Sequence, residues 1–441
     1  MPDNATSIDH AVQAQLDRLW ALSPGADVLG LERISTLLDR LGNPERHLPP
    51  VFHVAGTNGK GSTCAFLRAS LEAAGHRVHA YTSPHLVRFN ERIRVAGRLI
   101  EDAALAVLLQ EVLGHADGLG ASFFEVTTAA AFLQFATEAA DACVIEVGLG
   151  GRLDATNVLP SPAVCGIAAL GIDHQSFLGD TLAEIAAEKA GIAKPGVPLV
   201  TMRYPPDIAA VIARVATQAD ADLHAAGASW NHKVNGDHVV ISDEDGTLTL
   251  PAPTLTGPHQ GDNLALAAEM LRRQHALEIP ALAIETAALT TTWSARLQRL
   301  GEGPLVARLP PERRRFGVWL DGAHNEQAAA AIADRWTGGA ATALVIGMLA
   351  NKDADGVLRH LVGTSGPCEV IAVPVPGHAC HSADVLAATA LQHGATRATT
   401  AETVEAAFDR LAKHGAGASV LIAGSLYLAG GVLVANNEPP V

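Results

Sequence analysis

Aromatic residues make up only 4% of the 441 positions, and there are only five cysteines. So few rings argue against the stacked-base platforms of single-strand nucleic-acid binders. The formal net charge is −15, with lysine and arginine scattered, which excludes a basic stripe able to hold a phosphodiester backbone. Cys64, Cys143, Cys165, Cys368 and Cys380 form no CxxC pair and sit mostly in apolar runs. They read as buried free thiols of a reducing compartment, not as disulfides or zinc ligands. The opening MPDNATSIDH is polar and carries no signal-peptide pattern. Ser419 to Ala435 is free of charge but short for a membrane span, and Gly424-Ser425 and Gly430-Gly431 interrupt it. It reads as a buried strand, turn and helix. The expectation is a soluble, cytoplasmic monomer with no membrane or nucleic-acid partner.

Apolar residues, by contrast, reach 48%, enough to bury a large core in two or three domains. Apolar runs rich in β-branched residues at Val78–Tyr81, Ala142–Val147, Ala163–Leu170 and Pro198–Thr201 alternate with helical patterns at Ser62–Ala74, Thr127–Glu138 and Thr181–Ala193. That alternation predicts a doubly wound parallel sheet with helices on both faces. The texture changes between 230 and 250, where turns at Asn235-Gly236 and Asp245-Gly246 predict an appended antiparallel hairpin. A second, smaller Rossmann-like α/β domain follows. Its strands are Gly317–Leu320, Ala343–Ile346, Glu369–Val373 and Ser419–Ala423, and its helices Glu326–Trp336, Ala383–His393 and Val404–His414. The expected division is 1–295 and 296–441.

Between the first strand and the first of these helices lies VFHVAGTNGKGST, Val51 to Thr63. Strand, glycine-rich turn with Lys60, then helix is the order a triphosphate needs. Backbone N–H groups wrap the phosphates, the lysine reaches the terminal one, and the helix N-terminus adds partial positive charge. The match to the common phosphate-loop pattern is imperfect, since Val54 stands where the first glycine falls and Gly61 where the hydroxyl residue does, with Ser62 one place later. Read as a bare turn, the segment would need no such lysine.

Four other residues fall where loops at the carboxyl ends of neighbouring strands belong. They are Ser83 in TSPH, Glu146 in VIEVGLGG, His174 in GIDH and Lys189 in AEIAAEKAGI. A buried strand-end carboxylate is costly unless paired or bound to metal, and beside a triphosphate Mg²⁺ is the natural partner. Taken singly each residue has an ordinary structural reading; their joint placement carries the argument.

The segments GTNGKGST, TSPHLVRFNERI, FFEVTT, EVGLGGRLDATN, GIDHQSFLG with AEKAGIAK, GDNLALA and DGAHN occur in this order in folylpolyglutamate synthases and dihydrofolate synthases, of the wider Mur ligase superfamily. The chain resembles that family from about Leu29 to Gly431. The resemblance implies an ATP-dependent amide ligase that phosphorylates a carboxylate of dihydropteroate or of a folate glutamyl tail and joins it to L-glutamate. It implies that Gly56, Thr57, Asn58, Gly59, Lys60, Gly61 and Ser62 hold the ATP phosphates. Ser83, Glu146 and His174 match Mg²⁺ positions, and Lys189 matches a carbamylated lysine. Asn263, Arg296, Asp321 and His324 match nucleotide contacts, with Arg299 standing near enough to compete with Arg296. Phe124 and Asp154 resemble positions facing the pterin, and Ser425 a serine of the second domain's side of the site. The family commonly has Pro-Gly before this arginine, whereas here Ser294-Ala295 precede it, which predicts a differently set hinge. A nucleotide-driven switch is the reading from another class. A ligase acting on a UDP-linked muramyl substrate is not expected, because too few residues precede the loop for that substrate's domain.

Overall fold

The computed structural model describes residues 6–22, 29–336, 342–363, 368–413 and 419–440. They divide into two compact units, Met1–Thr254 with His259–Thr292, and Leu255–Pro258 with Trp293–Val441.

The first unit is built on eight strands: β1 (Val51–Ala55), β2 (Val78–Tyr81), β3 (Ile93–Val95), β4 (Arg98–Leu99), β5 (Ala142–Glu146), β6 (Val164–Ile167), β7 (Pro198–Thr201) and β8 (Asp222–Ala225). Their order is β4-β3-β2-β5-β1-β6-β7-β8. Pairing from β2 through β8 is parallel. The sheet is not parallel throughout, because β3 and β4 form an antiparallel edge ribbon closed by Ala96 and Gly97, both at positive φ. Such a turn matches the twist of its strands, and two- or three-residue strands carry no apolar run to announce them.

The central strands β1 and β5 are buried at every position, so both faces must be covered. Val51, Cys143 and Ile145 join one core with residues of the helices Asp102–Ala116 and Phe123–Thr137. The helix Lys60–Ala73 packs against the helices His259–Arg273 and Ala281–Thr290. The chain leaves β1 toward β2 on one side and β6 toward β7 on the other, so the strand order reverses beside β1 and β6. Ligands of such sheets bind outside the carboxyl ends of the strands at this reversal.

The appended piece is three strands, not one hairpin: β9 (Asn231–Asn235), β10 (His238–Asp243) and β11 (Gly246–Pro251). The turns centre on Gly236-Asp237 and Glu244-Asp245, shifted by one residue from the expected positions. This small sheet is clamped to helix His259–Arg273. Arg272 Nε donates to Asp243 at 2.7 Å, Arg273 Nε to Glu269 at 2.6 Å, and Arg273 Nη2 lies 2.9 Å from Asp243. Burial raises the carboxyl pKa of Glu269, whereas the hydrogen bonds and charge of Arg272 outweigh burial at Asp243 and lower its pKa.

In the second unit β12 (Gln298–Arg299), β13 (Val318–Leu320), β14 (Thr342–Ile346), β15 (Cys368–Ala372), β16 (Arg397–Thr400) and β17 (Ser419–Ala423) form a sheet of order β12-β13-β17-β14-β15-β16. All pairs are parallel except β12 with β13. The unit starts its sheet at Gln298, ahead of Gly317, where the first of its expected strands begins. The expected helix end at His414 lies outside the described residues. The stretch Ser419–Ala435 is a buried strand followed by helix Leu426–Ala435, and no helix among the described residues is long and apolar enough to cross a membrane.

Removing one partner of a buried charge cluster leaves the others uncompensated, at a cost of about 3–5 kcal/mol. Arg273→Leu should therefore lower the free energy of unfolding by about that much, measured as a shift in the urea midpoint. An unchanged midpoint would mean the clamp carries no stability.

Candidate active site

Lys60 opens the helix Lys60–Ala73, with Gly59 as its N-cap at φ +81. A Cβ on Gly59 would lie 2.4 Å from Asn263 Oδ1, so this position needs glycine both for its left-handed backbone and for the approach of Asn263. Asn263 is buried and held by Gln260, whose Oε1 accepts from Nδ2 at 3.0 Å. Thr57 N and Asn58 N donate to Ala169 O, beyond the end of β6, at 2.8 and 3.1 Å. Those two amides therefore fasten the loop to the sheet. The amides of Lys60, Gly61 and Ser62 have no partner within the helix, as at any helix start, and are the donors suited to phosphate.

Lys60 Nζ reaches back to Gly56 O at 3.1 Å and Thr57 O at 3.3 Å. Lys189 Nζ donates to the same Gly56 O at 2.9 Å, from a helix, Leu182–Ala190, whose start is fixed by a Thr181–Glu184 capping box. Far from being a solvated helical lysine, Lys189 is only 4% exposed. Burial, and then the charge of Lys60, push its pKa down to about 7 against the opposing pull of Asp173 and Asp154. Arg152 N donates to Glu188 O at 2.8 Å, which seats the glycine loop after β5 on this helix.

Glu146 ends β5, is buried, and accepts from Ser83 N at 3.2 Å. Ser83 and Glu146 are thus brought together, and the charges of Glu146 and Lys60 both act on the buried thiol of Cys64. His174 stands at the carboxyl side of the next strand, at φ 53, with its amide donating to Asp173 Oδ1 at 2.8 Å and its side chain 40% exposed. Among the described residues no three His, Cys, Asp or Glu side chains converge as a ready metal cage.

Phe124 is the second residue of helix Phe123–Thr137, whose start is fixed by a Ser122–Glu125 capping box and by Arg33, 3.0 Å from Glu125. Its ring lies against Gly148, where a Cβ would come within 2.2 Å of Cζ. Asp154 is buried and accepts from Leu149 N at 2.8 Å, Thr156 N at 3.0 Å and Thr156 Oγ1 at 2.5 Å. Gly148 and Leu149 thus link the ring to the acid.

Within the second unit Asp321 follows β13 and accepts from Leu297 N and Ala323 N, both at 2.7 Å. His324 Nδ1 lies 2.8 Å from Gly322 O. Arg296 Nη1 would be 3.1 Å from a Cβ on Gly322, whereas Arg299 flanks Gly317 at the far end of β13. Arg296 is the arginine that shares the Asp321–His324 turn. Ser425 caps helix Leu426–Ala435, its Oγ accepting from Tyr427 N at 3.1 Å. Sequence reasoning passed over Asp173, which acts on Lys189, and over Thr156 beneath Asp154; the signal for Thr156 was His53, a polar residue in the apolar run VFHVA.

A phosphate loop, an acid on the adjacent strand end and a second α/β unit define an ATP-using enzyme. Residues 308–435 match the family model "Dihydrofolate synthetase, C-terminal domain". The chain is 39% identical to a Bacillus subtilis dihydrofolate synthase/folylpolyglutamate synthase over 69% of this chain and 71% of that one. It superposes on the structure of Escherichia coli FolC in complex with DHPP and ADP with a TM-score of 0.85, at 33% identity, covering 96% and 97% of the two chains. For the Yersinia pestis bifunctional enzyme complexed with AMPPNP and Mn the TM-score is 0.83, at 30% identity and 97% and 99% coverage. The chain belongs to the dihydrofolate synthase and folylpolyglutamate synthase family of ATP-dependent ligases.

Gly59→Ala combines a disfavoured φ with a clash at Asn263. It should abolish nucleotide binding at concentrations that saturate the native protein, as read by calorimetric titration. Undiminished binding would remove the loop geometry from consideration.

Proposed function

We propose that this ligase transfers the terminal phosphoryl of ATP to a carboxylate of dihydropteroate, or of a folate's glutamyl tail, and that the amine of L-glutamate then displaces phosphate to form the amide. Both reactions, dihydrofolate synthesis and folylpolyglutamate synthesis, are assigned to this chain. The observation that carries the reading is the meeting of Lys60 and buried Lys189 on the Gly56 carbonyl, beside the strand-end Glu146. The double activity named for the Bacillus subtilis and Yersinia pestis relatives supports assigning both reactions.

In this reading the amides of Lys60, Gly61 and Ser62 bind the phosphates, and Lys60 turns from the Gly56 carbonyl to the transferring phosphoryl. Catalysis is placement and charge neutralisation, with water kept from an acyl phosphate that would hydrolyse. Ser83, Glu146 and His174 would hold Mg²⁺, which offsets the negative charge of the phosphates. The donor set fits, since a buried carboxylate needs a cation and magnesium is usually bound by one or two carboxylates completed by phosphate oxygens and water. The manganese in the Yersinia pestis complex supports a divalent ion. Asn263 is assigned to the nucleotide from its place against Gly59. For Arg296, Asp321, His324 and Ser425 the assignment rests on the family pattern. Phe124 supplies a face and Asp154 an acceptor for the pterin ring. The three free thiols buried in the first unit, Cys64, Cys143 and Cys165, support a cytoplasmic location.

The burial and lowered pKa of Lys189 support its carbamylation. A neutral amine attacks CO₂ and releases a proton, giving an anionic carbamate. With its pKa near 7, the fraction of neutral Lys189 rises as pH climbs through 7. Activity in CO₂-depleted buffer should therefore recover on adding bicarbonate, more completely at pH 8 than at pH 6. Lys189→Ala should lose activity and regain part of it with short carboxylates. A rate indifferent to CO₂, together with no rescue, would remove the carbamate.

Lys60→Ala should lower the turnover about a hundred- to a thousandfold with an unchanged urea midpoint. Product analysis with dihydropteroate and with tetrahydrofolate monoglutamate as separate substrates tests the double activity. If one of them gives no glutamate-dependent product, the enzyme has a single activity.

A further inference from the structure

His53 is the single polar residue of β1 and is completely buried. An imidazole placed among aliphatic side chains costs free energy unless its polar atoms are bonded. Burial, helped by the charge of Lys194, pushes the pKa of His53 down to about 3, so the ring is neutral and carries one N–H. Its Nε2 lies 2.9 Å from Thr156 Oγ1, while Nδ1 has no hydrogen-bond partner. Thr156 Oγ1 in turn lies 2.5 Å from Asp154 Oδ1.

A hydroxyl has one proton to give, so this chain can run only one of two ways. If a protonated Asp154 donated to Thr156 and Thr156 to His53, the ring proton would sit on Nδ1, a buried N–H with no acceptor. If His53 Nε2–H donates to Thr156 and Thr156 to Asp154, the unmatched atom is only a lone pair, which costs less than an orphaned N–H. The second arrangement also agrees with the backbone amides of Leu149 and Thr156, both of which donate to Asp154. Every neighbour so described gives Asp154 a proton and none asks for one.

We propose that His53 and Thr156 are positioning residues that hold Asp154 as an oriented acceptor for the donor edge of the pterin ring. This rests on the reading that Asp154 meets the pterin. A pterin offers its ring N–H and amino group side by side, so a carboxylate must be held in plane with both to accept them together. Thr156 and Leu149 pin one oxygen each. His53 ties Thr156 to β1, the strand that runs on into the phosphate loop at Gly56. The same strand thereby sets both the phosphate-binding turn and the pterin acceptor.

The test compares Thr156→Val, Thr156→Ser, His53→Leu, His53→Gln and Asp154→Asn, measuring Kd for dihydropteroate and for an ATP analogue in parallel. Thr156→Val and His53→Leu should each weaken dihydropteroate about tenfold and leave the nucleotide Kd unchanged. Their combination should be no worse than Thr156→Val alone, since both interrupt one chain. Thr156→Ser and His53→Gln keep a donor at the same place and should restore binding. If His53→Leu does not fold, the Thr156 pair and His53→Gln carry the test. Native-like dihydropteroate binding in Thr156→Val would overturn the proposal, and so would a parallel loss of both ligands. If Asp154→Asn itself binds dihydropteroate normally, the pterin assignment has failed, not the relay alone.

Discussion

The interaction on which the site depends is a conflict: two lysines share one carbonyl oxygen. Gly56 O accepts from Lys60 at 3.1 Å and from Lys189 at 2.9 Å. Two unit charges about 4 Å apart repel by about 4 kcal/mol at an effective dielectric constant of about 20. The loop places the backbone of Lys60, and a capped helix that of Lys189, beside this one carbonyl. The relief is chemical. Lys189 gives up its proton near neutrality, and a carbamate in its place would turn the repulsion into an attraction toward Lys60.

That conflict orders the neighbouring charges. Glu146 is buried at the end of β5 and takes the Ser83 amide, and burying a carboxylate carries a desolvation cost. In the proposed reading a phosphate chain would bring negative charge to Lys60 and to the helix start, and the cation that accompanies it would answer Glu146. Magnesium is usually held by one or two carboxylates together with substrate phosphates and water, so in that reading Glu146 would be one of few protein ligands.

Most of the central architecture was legible because buried parallel strands write themselves as continuous apolar runs, as in VFHVA and ACVIE. The edge strands were not. DLHA at β8 and RATT at β16 are largely half-exposed, so burial imposes no apolar pattern on them, and β3, β4 and β12 are too short to show a period. The phosphate loop was readable because its residues are contiguous. The fastening of Thr57 and Asn58 to Ala169 was not, since it exists only once β6 lies beside β1. Lys189 stood out as a candidate, but its burial was not legible, because helix position alone says nothing of the glycine loop packed against it. His53 was visible as a letter, but its meaning required Thr156 to be folded back across β1.

The turn around Arg296 shows how an unfavourable local choice is sustained. Ala295 and Leu297, on either side of the arginine, have φ of 57 and 41, a region where a side chain costs about 1–3 kcal/mol per residue. The family's usual glycine would occupy the first position without that cost. Here an alanine takes a left-handed conformation that glycine adopts freely. Three hydrogen bonds hold it: Ala295 N to Gln298 at 3.0 Å, Gly322 N to Ala295 O at 2.9 Å, and Leu297 N to Asp321 at 2.7 Å. Both strained side chains are also buried, and solvent competes weakly for hydrogen bonds made there. Asp321 therefore has a structural task, to bind the Leu297 amide, that is separable from any contact with nucleotide. A change at Asp321 removes the hydrogen bond to the Leu297 amide, next to Arg296, so effects at the two residues are not expected to be independent.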